Sequence, residues 1–247
     1  MASLAIIGRG RLGSALSTAL RNPSASASTE LRISEPLGRN PDLTGFDAVL
    51  LCVPDVAIES AAATVAPGPL VGHCSGASGL GPLAPHEAFS LHPLMTVAAG
   101  AGRERLIGAG AAIAGSTPAA LDFARRLAER LQMHSFELAE ADRTAYHAAA
   151  SIASNFLVTL EAAAERLAAG TGAGRELLVP LVRATVENWA QLGPERALTG
   201  PIARGDEKTV AAQRDAVAER TPELLAMFDS LAEATRILVS PPSAALA

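Results

Sequence analysis

Three glycines near the start of the chain, Gly8, Gly10 and Gly13, follow the apolar run Ser3–Ile7 at G-x-G-x-x-G spacing and run straight into a helical pattern. The first glycine permits a tight turn, and the second lets a pyrophosphate approach the backbone. The third lets helix and strand pack closely. The helix would then offer unpaired amides and the positive end of its dipole to the phosphates. Strand, turn and helix agree, so the pattern predicts a dinucleotide site at Gly8, Gly10, Arg11, Leu12 and Gly13. Glu35 stands about 20 residues further on, where a carboxylate accepts from the ribose hydroxyls of NAD and repels the phosphate of NADP. Arg9, Arg11 and Arg39 are close in sequence and could instead neutralise that phosphate. The expectation leans slightly to NAD over NADP.

A second set of reactive side chains falls where strands should end. Val53-Pro54-Asp55 closes one apolar run, and Val53 and Pro54 are assigned to the cofactor site. His73-Cys-Ser-Gly-Ala77 closes the next, and Ser90–Thr96, with His92, follows soon after. Further along come Tyr146, His147, Ser151 and Asn155. His147, Ser151 and Asn155 are spaced i, i+4, i+8 and so share one face of a continuous helix. Hydride transfer to a carbonyl needs a proton donor for the oxygen, and imidazole has a suitable unperturbed pKa. Arg204, in Leu198–Asp206, could hold a substrate carboxylate through two parallel bonds, or stand solvated in a loop that Asp206 caps. Gly76, Tyr146, Ser151 and Arg204 are the expected substrate contacts, at the seam of two domains. Cys74 has no partner base and reads as a small buried residue. No Cys/His/Asp/Glu cluster has metal-ligand spacing, so no metal is expected.

These residues need a scaffold that gathers strand ends. The runs Ser3–Ile7, Leu31–Ser34, Asp47–Val53, Pro69–Cys74, Phe89–His92, Ala111–Ala114 and His134–Leu138 are mostly continuous and apolar, as in strands buried on both faces. Helical patterns at Leu12–Leu20, Val56–Val65 and Pro118–Gln132 lie between them. Such alternation predicts an α/β, mainly parallel, doubly wound sheet over residues 1–137. From 138 to 247 the pattern is all-helical. Ala139–Ala169 reads as one long helix, followed by Glu176–Leu192, Glu207–Glu219 and Pro222–Leu238, with Asp206 and Thr221 at the N-cap positions of the last two. Ser240–Ala247 reads as a disordered tail.

Composition excludes several classes. Of 247 residues, 49% are hydrophobic and 18% charged, which excludes disorder and gives ample material for a core. The net charge is −5 with no basic stripe, which argues against a nucleic-acid partner. Leu106–Gly115 is too short to span a bilayer, and no secretory leader is evident, so no membrane partner is expected. The two cysteines, Cys52 and Cys74, then suit a reducing cytoplasm as free thiols. The alanine-rich helical half suggests broad packing surfaces.

The segments Gly8–Gly13, His73–Ala77, Leu91–Pro93, Tyr146–Asn155 and Leu198–Asp206 together resemble the β-hydroxyacid dehydrogenase-like superfamily. There a Rossmann domain precedes a helical domain like the C-terminal part of 6-phosphogluconate dehydrogenase. The chain is especially similar to a branch of predicted oxidoreductases whose helical half is a domain of unknown function. The resemblance implies a two-fold homodimer through the helical domain. It also implies roles, since Ser75, His92 and Asn155 fall in the order of the catalytic serine, histidine and asparagine of related dehydrogenases. Hydroxyisobutyrate dehydrogenases and ketopantoate reductases instead carry a catalytic lysine on the comparable helix. This chain departs from that pattern, because its only lysine is Lys208. Either His147 replaces that lysine or the work falls to His92.

The expected function is an NAD(P)-dependent oxidoreductase acting on a small anionic 2-oxo or hydroxy acid, ketopantoate first by analogy. A dinucleotide-binding sensor or regulatory subunit without turnover is the alternative. Deazaflavin-dependent chemistry comes third.

Overall fold

A computed structural model describes residues 2–22, 31–97 and 103–239. The tail expected to be disordered, Ser240–Ala247, lies outside the described residues. The chain forms two compact units, residues 1–154 and 155–247. The expected division at 137/138 follows the last strand, whereas the first compact unit extends to Ser154.

The first unit is built on seven strands: β1 (Ala2–Ile7), β2 (Leu31–Leu37), β3 (Ala48–Leu51), β4 (Leu70–His73), β5 (Ala88–Leu94), β6 (Gly110–Gly115) and β7 (His134–Glu137). Its helices are α1 (Arg11–Arg21), α2 (Ile58–Ala62), α3 (Pro118–Arg130) and α4 (Arg143–Ser151). The sheet order is β2-β1-β3-β4-β5-β6-β7. Strands β1 to β5 are parallel, β6 runs antiparallel to β5, and β7 is parallel to β6. This is a Rossmann-like sheet. Because β1 has β2 on one side and β3 on the other, the chain changes direction there, and α/β sheets place ligands at such a point.

The continuous apolar runs are explained by helices on both faces. Successive strand side chains point to opposite faces. In β1, Leu4 and Ile6 join one buried cluster with Leu16, Leu50, Phe89 and Leu127. Ala5 and Ile7 join the other, with Val49, Leu51, Ile58 and Val71. Each fully buried Leu or Ile is worth roughly 1.5–3 kcal/mol relative to exposure, so the sheet's register is strongly fixed.

The helix expected over Val56–Val65 is shorter: a 3-10 turn at Asp55–Ala57 leads into α2. The long helix expected over Ala139–Ala169 is also interrupted. A π turn, Ile152–Phe156, follows α4 and precedes α5 (Leu157–Ala168). Neither Pro nor Gly marks it, and none of its residues is buried; such single turns inside α-helices are frequent at functional sites.

The second unit continues with α6 (Arg175–Leu192), α7 (Pro194–Ala197), α8 (Glu207–Arg220) and α9 (Leu225–Val239). Asp206 caps α8, its side chain accepting from the Thr209 amide at 3.1 Å. Thr221 stands at the expected N-cap position but makes no cap bond; its hydroxyl donates back to the Val217 carbonyl at 3.4 Å.

Candidate functional site

The glycine turn has the close approaches its sequence demands. A Cβ on Gly8, whose φ is +124°, would stand 2.2 Å from the Cys52 carbonyl oxygen, and one on Gly13 would stand 2.0 Å from the Gly8 carbonyl oxygen. Gly10 differs: nothing lies within 4 Å of where its Cβ would be. Gly8 and Gly13 therefore serve packing, and Gly10 leaves open space for a group outside the chain. Gly10 also begins α1 without a side-chain cap, so the first amides of α1 have no partner from a capping side chain. These features fit a diphosphate.

Beside the turn lies a cleft of about 350 Å³. Gly10, Arg11 and Leu12 line it from the glycine turn, Cys52, Val53 and Asp55 from beyond β3, and Cys74 and Ser75 from beyond β4, with Val97. Pro54 is not among the lining residues; its carbonyl accepts from the Ala57 amide and starts the 3-10 turn. The Cys52 and Cys74 sulfurs are 3.7 Å apart, and both thiols are free. The Cys52 contact and burial push the Cys74 thiol up, which keeps it protonated and unreactive.

Ser75, expected to polarise a substrate oxygen, is already committed. Its hydroxyl donates to Asp55 Oδ2 at 2.7 Å and accepts from the Ala77 and Ser78 amides at 3.2 and 2.9 Å. Its single proton is thus directed at a carboxylate, and it fixes the loop after β4. His73 holds the other side of that loop. It is fully buried; its Nδ1 accepts from the Ser75 amide at 3.1 Å, which leaves Nε2–H to donate to the Gly79 carbonyl at 2.9 Å. Burial lowers its pKa, so the ring is neutral.

His92 lies near the carboxyl end of β5, with Nδ1 2.6 Å from the Tyr146 hydroxyl on α4 and the two rings edge to face. A Cβ on Gly76 would come within 3.0 Å of the His92 ring, so Gly76 is needed for this ring to sit against the loop. Burial, then the charges of His147 and Arg143, lower the His92 pKa to about 4. At neutral pH the group is imidazole, not the imidazolium that an unperturbed pKa offers. Burial raises the Tyr146 pKa, so the phenol keeps its proton. The pair holds two exchangeable protons and spends one in its mutual bond. The other remains available, on Nε2 or on the phenol oxygen.

Arg143, which sequence reasoning passed over, is almost fully buried behind this pair, donating to Ser90 Oγ at 3.0 Å and to Glu140 at 3.3 Å. Asp55 and His73 were also missed as site residues. Asp55 had a visible signal, its place directly after a strand end. His73 had the same signal, at the end of the next strand, whereas Arg143 had none, because Ser90 is 53 residues away and only the fold brings the two together.

Other expected residues are dispersed. Glu35 sits within β2, two residues before its end, and pairs with Arg21 in the last turn of α1 at 2.9 Å. The reason to assign it to the ribose therefore weakens. His147 is exposed and Ser151 half-buried, both on α4. Asn155 lies beyond in the π turn, so α-helical spacing does not carry from His147 to it. It belongs to the second unit, as does Arg204, exposed in the turn before α8.

Crystal structures of similar fold cover nearly all of the chain. One, from Bacteroides fragilis and provisionally described as an NADP oxidoreductase, is 17% identical with a TM-score of 0.76, covering 95% of this chain and 98% of its own. The Thermotoga maritima protein TM1727 is 22% identical with a TM-score of 0.76, covering 96% and 98%. Plasmodium falciparum pyrroline carboxylate reductase, solved with NADP bound, is 13% identical with a TM-score of 0.58, covering 96% and 98%. At such identities the likeness shows the fold. No curated protein matches the chain. Residues 110–235, just over half of the chain, match the family described as "Domain of unknown function (DUF2520)", and the chain belongs to that family.

Proposed function

We propose that this protein is a nicotinamide-dinucleotide-dependent oxidoreductase acting on the carbonyl or alcohol carbon of a small 2-oxo or hydroxy acid, with a ketopantoate-like acid as first choice. One observation carries the reading: an open glycine turn borders a cleft whose loop also seats a neutral histidine–tyrosine pair. The nicotinamide, when bound, supplies or accepts the hydride. The α1 amides and Gly10 hold the diphosphate, and Arg11 adds a positive charge. The Asp55–Ser75 bond and buried His73 keep the loop after β4 fixed. The His92–Tyr146 pair delivers a proton to the carbonyl oxygen in reduction and takes it back in oxidation. Arg143 positions that pair and discourages an imidazolium there.

The test is nicotinamide absorbance with a panel of 2-oxo acids, followed by kinetics of variants. With a substrate found, His92→Ala is expected to slow turnover by at least about a hundredfold while cofactor affinity is kept. Normal turnover by His92→Ala alongside a dead His147→Ala would move the proton donor to His147. Tight dinucleotide binding with no turnover on any acid would favour the sensor reading.

We further propose that a second copy of the chain covers α6. This helix buries none of its residues, and Leu177, Leu181 and Trp189 on it are exposed. A lone helix with so much uncovered apolar surface is unusual on a monomer.

A further inference from the structure

The cofactor's adenosine end should meet the carboxyl end of β2, and that end is positively charged. The Gly8 amide donates to the Leu37 carbonyl at 2.9 Å, so the glycine turn is tied directly to the last residue of β2. Arg9 reaches back across this joint, its Nε donating to the Pro36 carbonyl at 3.3 Å. Its guanidinium lies beside Gly38, where a Cβ would stand 3.6 Å from Cζ. Gly38 has no side chain to fill the space, and Arg39 follows, exposed. Neither Arg9 nor Arg39 has a carboxylate partner among the described residues.

The nearby acids are turned elsewhere. Glu35 is bonded to Arg21 at the far end of α1, an 11-residue helix that is about 16 Å long. Asp42, the next acid after β2, accepts from the Thr44 amide at 2.9 Å, within its own turn. A carboxylate at the strand end would bond the two free ribose hydroxyls of NAD; two guanidiniums instead suit a phosphate ester on one of them.

We infer that Arg9 and Arg39 form a phosphate subsite for the adenosine 2′-phosphate, so that the chain selects NADP(H) over NAD(H). The inference rests on the dinucleotide reading above and reverses the lean to NAD, whose ground was Glu35.

Purified protein is titrated with NADPH and with NADH by nicotinamide fluorescence, and with 2′,5′-ADP and 5′-ADP by calorimetry. NADPH is expected to bind at least about tenfold tighter than NADH, and 2′,5′-ADP tighter than 5′-ADP, since a charged hydrogen bond is worth about that much. Added salt weakens NADPH more than NADH. The double variant R9Q/R39Q loses about tenfold or more in NADPH affinity with NADH nearly unchanged. Arg39→Gln alone, at an exposed side chain, shows part of that loss and serves if the double variant fails to fold. Equal or tighter NADH binding by the wild type overturns the inference while leaving the dinucleotide reading intact. So does an unaltered NADPH affinity in both variants. If neither dinucleotide binds, the dinucleotide reading falls and the subsite with it.

Discussion

The two compact units spend their apolar residues differently. In the first, Leu4 to Ile7 of β1 and all of β3 are buried, and two clusters sandwich the sheet. In the second, the described residues that are buried come to Ala163, Val210, Val217, Thr221 and Ala232. Its longest helix, α6, contributes none, and Trp189 is 58% exposed. Burial of apolar surface supplies most of a fold's stability, at roughly 25 cal/mol per Å². The sheet unit has its own core, whereas the helical unit has apolar area still to cover. The difference teaches where to test each proposed property: chemistry and cofactor selection in the unit with its own core, association in the unit whose apolar residues stay exposed.

The strongest way to break that comparison is to attack the uncovered helix. Leu177→Glu combined with Leu181→Glu should convert a dimer to a monomer. Each buried leucine is worth roughly 1.5–3 kcal/mol, so the pair shifts dissociation by about a hundredfold or more. Light scattering at micromolar concentration reads the mass. A wild-type monomer would show that the helical unit tolerates its exposed face and that burial is no guide to association here.

Next in size is the glycine turn of the sheet unit. Gly13→Ala forces a methyl against the Gly8 carbonyl, 2.0 Å from where it would stand, and nearby backbone must move. Overpacking of this kind costs about 1–3 kcal/mol, visible as a fall of several degrees in Tm. Gly10→Asp should do the reverse. Its Cβ meets nothing within 4 Å, so Tm holds while the carboxylate repels the diphosphate and nicotinamide titration goes flat. A Gly10→Asp protein that binds dinucleotide normally would place the phosphates elsewhere.

The same contrast explains what could be read beforehand. The inner strands β1, β3 and β4 were legible because they are buried on both faces and so are written as apolar runs, whereas the edge strands β2 and β7, which bury no residue fully, carry charged and polar side chains. The glycine turn was legible because backbone clearance restricts residue type. The π turn at Ile152–Phe156 was not, since nothing in its sequence breaks an α pattern. The commitment of Ser75 to Asp55 was hidden, because the two are joined only when β3 and β4 pair. Glu35 was placed at the strand's end by counting, whereas β2 runs on to Leu37, two residues beyond it.

The smallest expected effect sharpens the account of His92. In the unfolded chain this histidine takes up its proton near pH 6.5, whereas in the folded protein burial and the charges of His147 and Arg143 delay that to about 4, with Asp55 opposing them. Between those values the unfolded state binds more protons, so stability is lost as pH falls from about 6.5 to about 4 and is fully present above. The full separation corresponds to about 3 kcal/mol, and the half-buried position of the ring reduces this to about 1–2 kcal/mol through solvent screening. His73, whose pKa burial also lowers, adds a slope of the same sign. Urea unfolding at pH 7.5 and pH 5 measures the difference. His92→Asn removes one of the two contributors, so its loss between the two pH values should be smaller than the wild type's by about 1 kcal/mol. An identical loss in both proteins would mean that His92 titrates normally when folded, and the proton chemistry assigned to a neutral ring would have to be rewritten for an imidazolium.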